Sequence, residues 1–147
     1  MLFAPFSEHC SAVAEKETIS LTIQDDDELP DGQYLLVESY CVDPGCDCRK
    51  VMINFFHRNR GKKWKCLATI GFGWETPDYY ISWMHGDEEL GNMIAGSYLE
   101  AGGQQSEYSD KLLALWEEFI VTQQKYLKRL QRHYKVFKHT ITANSTA

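Results

Sequence analysis

The chain has 147 residues, 44% hydrophobic and 13% aromatic, with a formal net charge of -6. That length can bury one sizeable core, and the aromatic content excludes a disordered chain. No apolar run approaches the roughly 18–20 residues that a membrane-spanning helix needs.

The N-terminal residues, MLFAPFSEHCSAVAEKE, offer neither a positive n-region nor an unbroken apolar h-region, so no secretory signal is expected. Residues 18–24, TISLTIQ, alternate Ile19, Leu21 and Ile23 with polar neighbours, the period-2 pattern of a half-buried strand. An acidic, turn-rich connection at 25–32 leads to a second strand over 33–41. A third strand, 48–58, carries Val51, Ile53 and Phe55 on one face; a turn at 59–62 contains Gly61, and a fourth strand covers 63–72. Strands joined by such short connections predict an antiparallel sheet.

From residue 76 the periodicity changes. Thr76 and Pro77 are placed to cap and open a short helix that Gly86 ends. Residues 86–90, GDEEL, read as a solvated turn and 96–106 as a loop. Ser109 is placed to cap a helix in which Leu112, Leu115, Trp116 and Phe119 recur at helical spacing. Residues 125–138 continue as helix, with Tyr126, Leu130 and Phe137 as its apolar stripe and His133 on the stripe's border. The predicted class is α+β: an antiparallel sheet of about four strands from the N-terminal half, packed by C-terminal helices. Residues 1–147 are read as one domain, with 139–147, HTITANSTA, as a tail lacking periodicity.

The chemistry is concentrated in CVDPGCDC, residues 41–48, which holds three of the five cysteines. An odd count with three thiols crowded together does not suit a disulfide framework, and the expected compartment is a reducing cytoplasm. Thiolates are strong ligands for zinc, at about 2.3 Å in a tetrahedral set. Pro44 and Gly45 are placed to make the turn that folds Cys46 back towards Cys41. Three anionic sulfurs without a cation would repel one another, and neighbouring Arg49 and Lys50 are candidates to offset their charge. Cys41, Cys46 and Cys48 are therefore the expected ligands of a metal, with Zn2+ as the expected ion.

The fourth ligand is the open point. If Asn59 faces Lys62 across the turn, the hairpin register places Cys66 beside Phe55, more than about 20 Å from the cluster. The same register brings Gly73, Trp74 and Glu75 to the cluster's end of the sheet. His133 is the preferred fourth ligand; His85, Glu75, the N-terminal His9 and Cys10, and a water are the alternatives. A water would leave an open position and favour catalysis. No P-loop, G-x-G-x-x-G, H-E-x-x-H or G-x-S-x-G pattern is present, so no reaction is assigned.

Charge adds one expectation about partners. Residues 1–47 hold eleven acids against Lys16, whereas 125–138 hold Lys125, Lys128, Arg129, Arg132, Lys135 and Lys138 and no acid. The net acidity argues against nucleic acid. A basic outer face on the last helix is suited to another protein, and no membrane is expected.

The segments YCVDPGCDCRKVMINF, LATIGFGWETPDYYISWM and YLKRLQRHYKVFK resemble an uncharacterised bacterial protein family. Its members carry a C-x-D-P-x-C-D-C-R segment, such a sheet and an R-H-Y helix, and some add a SEC-C zinc-binding tail. The resemblance covers roughly residues 33 to 138. It implies that Cys41, Cys46 and Cys48 act as a unit, with His133 a weaker addition, and it implies no particular reaction. This chain ends FKHTITANSTA and has no SEC-C tail, so the partner function of that tail is not implied. The combined expectation is a small zinc-binding protein with a structural metal, acting as a binding or adaptor module. The alternative is an enzyme, either an open-site metal hydrolase or a thiol oxidoreductase using the three cysteines.

Overall fold

A computed structural model describes residues 2–145. In chain order the elements are β1 (Phe3–Pro5), α1 (Phe6–His9), α2 (Ser11–Glu17), β2 (Ile19–Ile23), β3 (Gly32–Cys41), β4 (Lys50–Arg58) and β5 (Lys65–Gly73). There follow α3 (Pro77–Trp83), α4 (Glu88–Ile94), β6 (Gly96–Leu99), α5 (Ser109–Leu115), a π-helical turn (Trp116–Ile120) and α6 (Gln124–Ser145). All strand pairs are antiparallel, in the order β1-β3-β4-β5-β6, and β2 shares the outer edge of β3 with β1. The class is α+β, as the alternating and helical patterns imply. The sheet has six strands rather than four, because β1 and β6 are three and four residues long. A period-2 pattern cannot stand out over so short a run.

Strand parity sets the core. Tyr34, Leu36 and Tyr40 of β3, Val51, Ile53 and Phe55 of β4, and Ala68, Ile70 and Phe72 of β5 are buried on the face that α5, the π-turn and α6 cover. Against them pack Leu112, Trp116, Ile120, Leu130 and Phe137, with the Trp116 ring edge-on to Phe72 at 5.8 Å and Phe137 tilted against Tyr40 at 5.6 Å. Trp116 Nε1 also donates to Ser97 Oγ at 2.9 Å, which fixes the buried indole.

Thr76 accepts from the Tyr79 amide and Pro77 opens α3, as expected of a Thr-Pro start. Three other expectations are corrected. GDEEL is not a turn: the Asp87 side chain accepts from the Leu90 amide and caps α4. Ser109 is not a cap; its buried hydroxyl donates to Gln105 Oε1 at 2.7 Å and lies 3.3 Å from Leu67 O, which seats the start of α5 against β5. Phe119 is 62% exposed, because the Val121 amide reaches back to Trp116 O across a widened turn. That extra residue swings Phe119 outwards and puts Ile120 in the core.

The tail also differs. Helix α6 runs on through Ser145, and Ile141 is buried in the core. Residues 139–145 are thus helical, and 146–147 lie outside the described residues. Among the described residues no helix is long and apolar enough to cross a membrane.

Candidate metal centre

Cys41 ends β3, and Cys48 lies two residues before β4 begins, so the cluster sits on the hairpin connection of the two central strands. The connection is shaped locally. Cys46 N donates to Asp43 O at 3.1 Å, closing a turn through Pro44 and Gly45, and Gly45 N donates to the Asp43 carboxylate at 2.9 Å. Arg49 then adopts a left-handed φ of +50°, which redirects the chain into β4. Both of its peptide groups are held: its N–H donates to the Tyr134 hydroxyl at 3.2 Å, and its carbonyl accepts from Tyr80 Oη at 2.7 Å.

The result is a three-thiol site. The sulfurs of Cys41, Cys46 and Cys48 all lie within 4.8 Å of one another, with Cys41 and Cys48 buried and Cys46 partly exposed. On a zinc tetrahedron with 2.3 Å bonds the sulfurs would stand about 3.8 Å apart, so only small rotamer adjustments separate this arrangement from a coordinating one. Burial, followed by the charges of Cys46 and Cys41, pushes the Cys48 thiol up to about 12. Burial and then Cys41 push Cys46 upwards too. Three thiolates therefore do not coexist here without a cation, and a bound cation is what would deprotonate them. The three thiols can hold a metal ion.

Helix α6 touches this connection directly. Lys138 Nζ donates to Cys41 O at 2.9 Å and Asp43 O at 2.8 Å, and Tyr134 Oη donates to Asp47 Oδ1 at 3.4 Å. The Lys50 backbone amide and then the Lys138 charge act to lower Cys48, so the charge-offsetting role expected of the Arg49 and Lys50 side chains falls to Lys138. Arg49 is committed to Asp47 (3.0 and 2.8 Å) and Glu75 (3.4 Å), and Lys50 turns towards the Tyr98 ring. Tyr134 and Lys138 were legible in principle. They stand four apart on one helical face, but nothing in the sequence says that this face meets residues 41–47.

Residues 73–75 reach the cluster's end as expected, in a register shifted by two residues. Lys50 pairs with Gly73, and Trp74 N donates to Arg49 O at 3.4 Å, which brings 73–75 alongside. At the other end Cys66 faces Phe56 rather than Phe55, because the pairing leaves the turn one residue later than expected; a bulge between Phe55 and Phe56 then leaves Leu67 as an extra residue in β5. Cys66 donates to Ala68 O at 3.5 Å and lies outside the thiol group.

No fourth His, Cys, Asp or Glu joins the three sulfurs among the described residues. His133, the preferred candidate, is fully buried but has other partners: Nδ1 lies 2.7 Å from Glu38 Oε1, and Nε2 lies 3.2 Å from Glu17 Oε1. Its ring stacks on Phe6 at 4.4 Å. Both ring nitrogens thus face carboxylate oxygens, and His133 holds α2, β3 and α6 together instead of reaching the cluster. His85 is exposed at a left-handed position after α3, and Glu75 binds Arg49. His9 meets the edge of Phe137, and Cys10 Sγ donates to Thr140 Oγ1 at 3.7 Å.

The His133 network carries its own pH dependence. Arg132, ahead of His133, holds the Glu17 carboxyl well below its usual 4.5, at about 2. A lowered folded-state pKa stabilises above the unfolded value and is lost as pH falls from about 4.5 towards 2. Comparing Glu17→Gln with the parent protein, the variant should melt lower at pH 7, by on the order of 1–2 kcal/mol once solvent screening is allowed for. The two melting curves should draw together as pH falls below 4.5 and converge only below about pH 2, as measured by circular dichroism.

No family model, no curated protein and no solved structure matches this chain.

Proposed function

We propose that this chain is a small zinc-binding module in which Cys41, Cys46 and Cys48 hold a structural ion, and that the module serves to bind another protein. The observation that carries the reading is the convergence of three sulfurs within 4.8 Å on the connection between the central strands, two of them buried. A soft cation there would join the end of β3 to the start of β4 and firm up the loop on which Tyr134 and Lys138 of α6 rest. Cysteine-rich sets are typical of structural zinc sites, which favours a clasp over a catalyst. All five cysteines are free, which suits a reducing cytoplasm.

The partner surface we propose is the outer face of α6. Of its six basic side chains, Arg129 and Arg132 engage Glu17 and Lys138 engages the loop carbonyls. Lys125, Lys128 and Lys135 remain exposed for an acidic protein partner.

A second reading follows from the ligand count. Three protein sulfurs with Cys46 partly exposed leave room for a water at the fourth position, the arrangement of an open-site metal hydrolase. A thiol oxidoreductase is less well supported, since burial holds Cys48 as a neutral thiol.

Elemental analysis of protein purified without added metal tests the proposal. About one zinc per chain is expected; less than about 0.3 of any metal would sink it, since structural sites stay occupied through purification.

A further inference from the structure

The face of the sheet opposite α5 and α6 holds a second site that the cysteine cluster does not explain. A cavity of about 410 Å³ opens there, walled by Met52, Trp83, Met84, Leu90, Met93 and Ile94, with Phe3 and Leu99 completing its apolar lining. Three residues with polar side chains line it as well: Lys50, Tyr98 and Glu100. Lys50 is only 9% exposed, yet among the described residues its ammonium has no carboxylate within ion-pair distance; it lies 5.5 Å from the centre of the Tyr98 ring and acts on the Tyr98 hydroxyl. The Tyr98 hydroxyl is buried and has no hydrogen-bond partner.

Both groups are costly as they stand. A buried hydroxyl without a hydrogen-bond partner forfeits hydration for nothing in return, and the ammonium of a largely enclosed lysine has no anion to replace the water it gives up. They are nevertheless held deliberately in place. Tyr98 lies across Gly71 of the neighbouring strand, where any Cβ would overlap the phenol ring, so the glycine admits the ring at that depth. Lys50 is fixed by its ladder position opposite Gly73. The one acid on the rim, Glu100, accepts from the Gly102 amide at 3.4 Å and forms no ion pair with Lys50.

We propose that this cavity binds a small carboxylic acid with an unbranched apolar tail. The carboxylate would lie between Lys50 and Tyr98, and the tail along the methionine and tryptophan side chains. One ammonium and one hydroxyl donor match the single charge and two acceptor oxygens of a carboxylate. A phosphate would bring a second charge to one cation, beside the acid of Glu100. The volume is within the range of small-molecule sites, and flexible methionines suit a chain without fixed shape.

The test uses protein as purified, with its metal, and carbon-13 methyl labels on methionine. Decanoate, kept below its aggregation concentration, is expected to shift the Met52, Met84 and Met93 methyl signals saturably. Decanol, of equal tail length but uncharged, should bind roughly tenfold more weakly or worse, and Lys50→Met should weaken decanoate by a similar factor. Met93→Glu, at an exposed rim position, should also weaken decanoate by placing a like charge at the mouth. Absence of saturable shifts overturns the proposal. So does equal binding of decanol and decanoate, which would mark an indiscriminate apolar patch. Because Lys50 is two residues from Cys48, the zinc content of Lys50→Met is measured alongside. If that variant does not fold, the decanol contrast and Met93→Glu decide the matter on their own.

Discussion

Cys48→Ser is expected to lower the melting temperature by roughly 10 °C or more and to leave the purified protein largely free of zinc. Metal-binding free energy becomes folding free energy when the site does not exist in the unfolded chain, and structural zinc can contribute on the order of 10 kcal/mol. For a domain of this size each kcal/mol moves the midpoint by about 2–4 °C, so losing even a third of that contribution is readily seen. Cys48 is the informative position because it is fully buried and stands where the chain turns into β4. A chelator should bring the parent protein down to the variant's midpoint and should move the variant no further. If the variant loses its metal while both midpoints stay put, the metal is not structural, and the open-site reading takes its place.

His133→Ala is expected to cost roughly 3–5 kcal/mol, about 10 °C in the midpoint, while leaving the zinc content unchanged. The cost arises because Glu38 is buried and Glu17 is half-buried; removing the imidazole strips Glu38 of the ring nitrogen 2.7 Å away, leaving it the Tyr40 hydroxyl as its side-chain partner among the described residues. A buried carboxylate that loses its main partner is more destabilising than the pair was stabilising. The variant also removes the ring stacked on Phe6, loosening α1 from α6. Zinc content separates the two roles assigned to this residue: a drop to below half of the parent value would make His133 a ligand after all, reached through a rearrangement of α6.

Much of the framework was legible locally. The alternation in residues 18–24, the hairpin turn at 59–62 and the Thr76-Pro77 helix start all rest on interactions within a few residues. The turn through Pro44 and Gly45 does as well, and it suffices to bring Cys46 back towards Cys41. By contrast, β1 and β6 owe their existence to strands already in place, Phe3 pairing with Cys41 and Tyr98 with Gly71. The outward turn of Phe119 depends on a π-turn whose widened hydrogen bond lets both Trp116 and Ile120 reach the core. A wheel drawn at 3.6 residues per turn misplaces everything beyond such a defect.

The site divides in the same way. By itself the sequence determined that three thiols share one short connection, because the turn through Pro44 and Gly45 folds residues 41–48 back on themselves. Only the tertiary structure decided who else attends. The carboxylates that claim His133 come from positions 95 and 116 residues away, and Lys138, 97 residues from Cys41, is the cation set over the loop. Strand parity and turn geometry are properties of neighbouring residues, whereas the partners of a helix face depend on how the helix docks, and that is settled by the whole core at once.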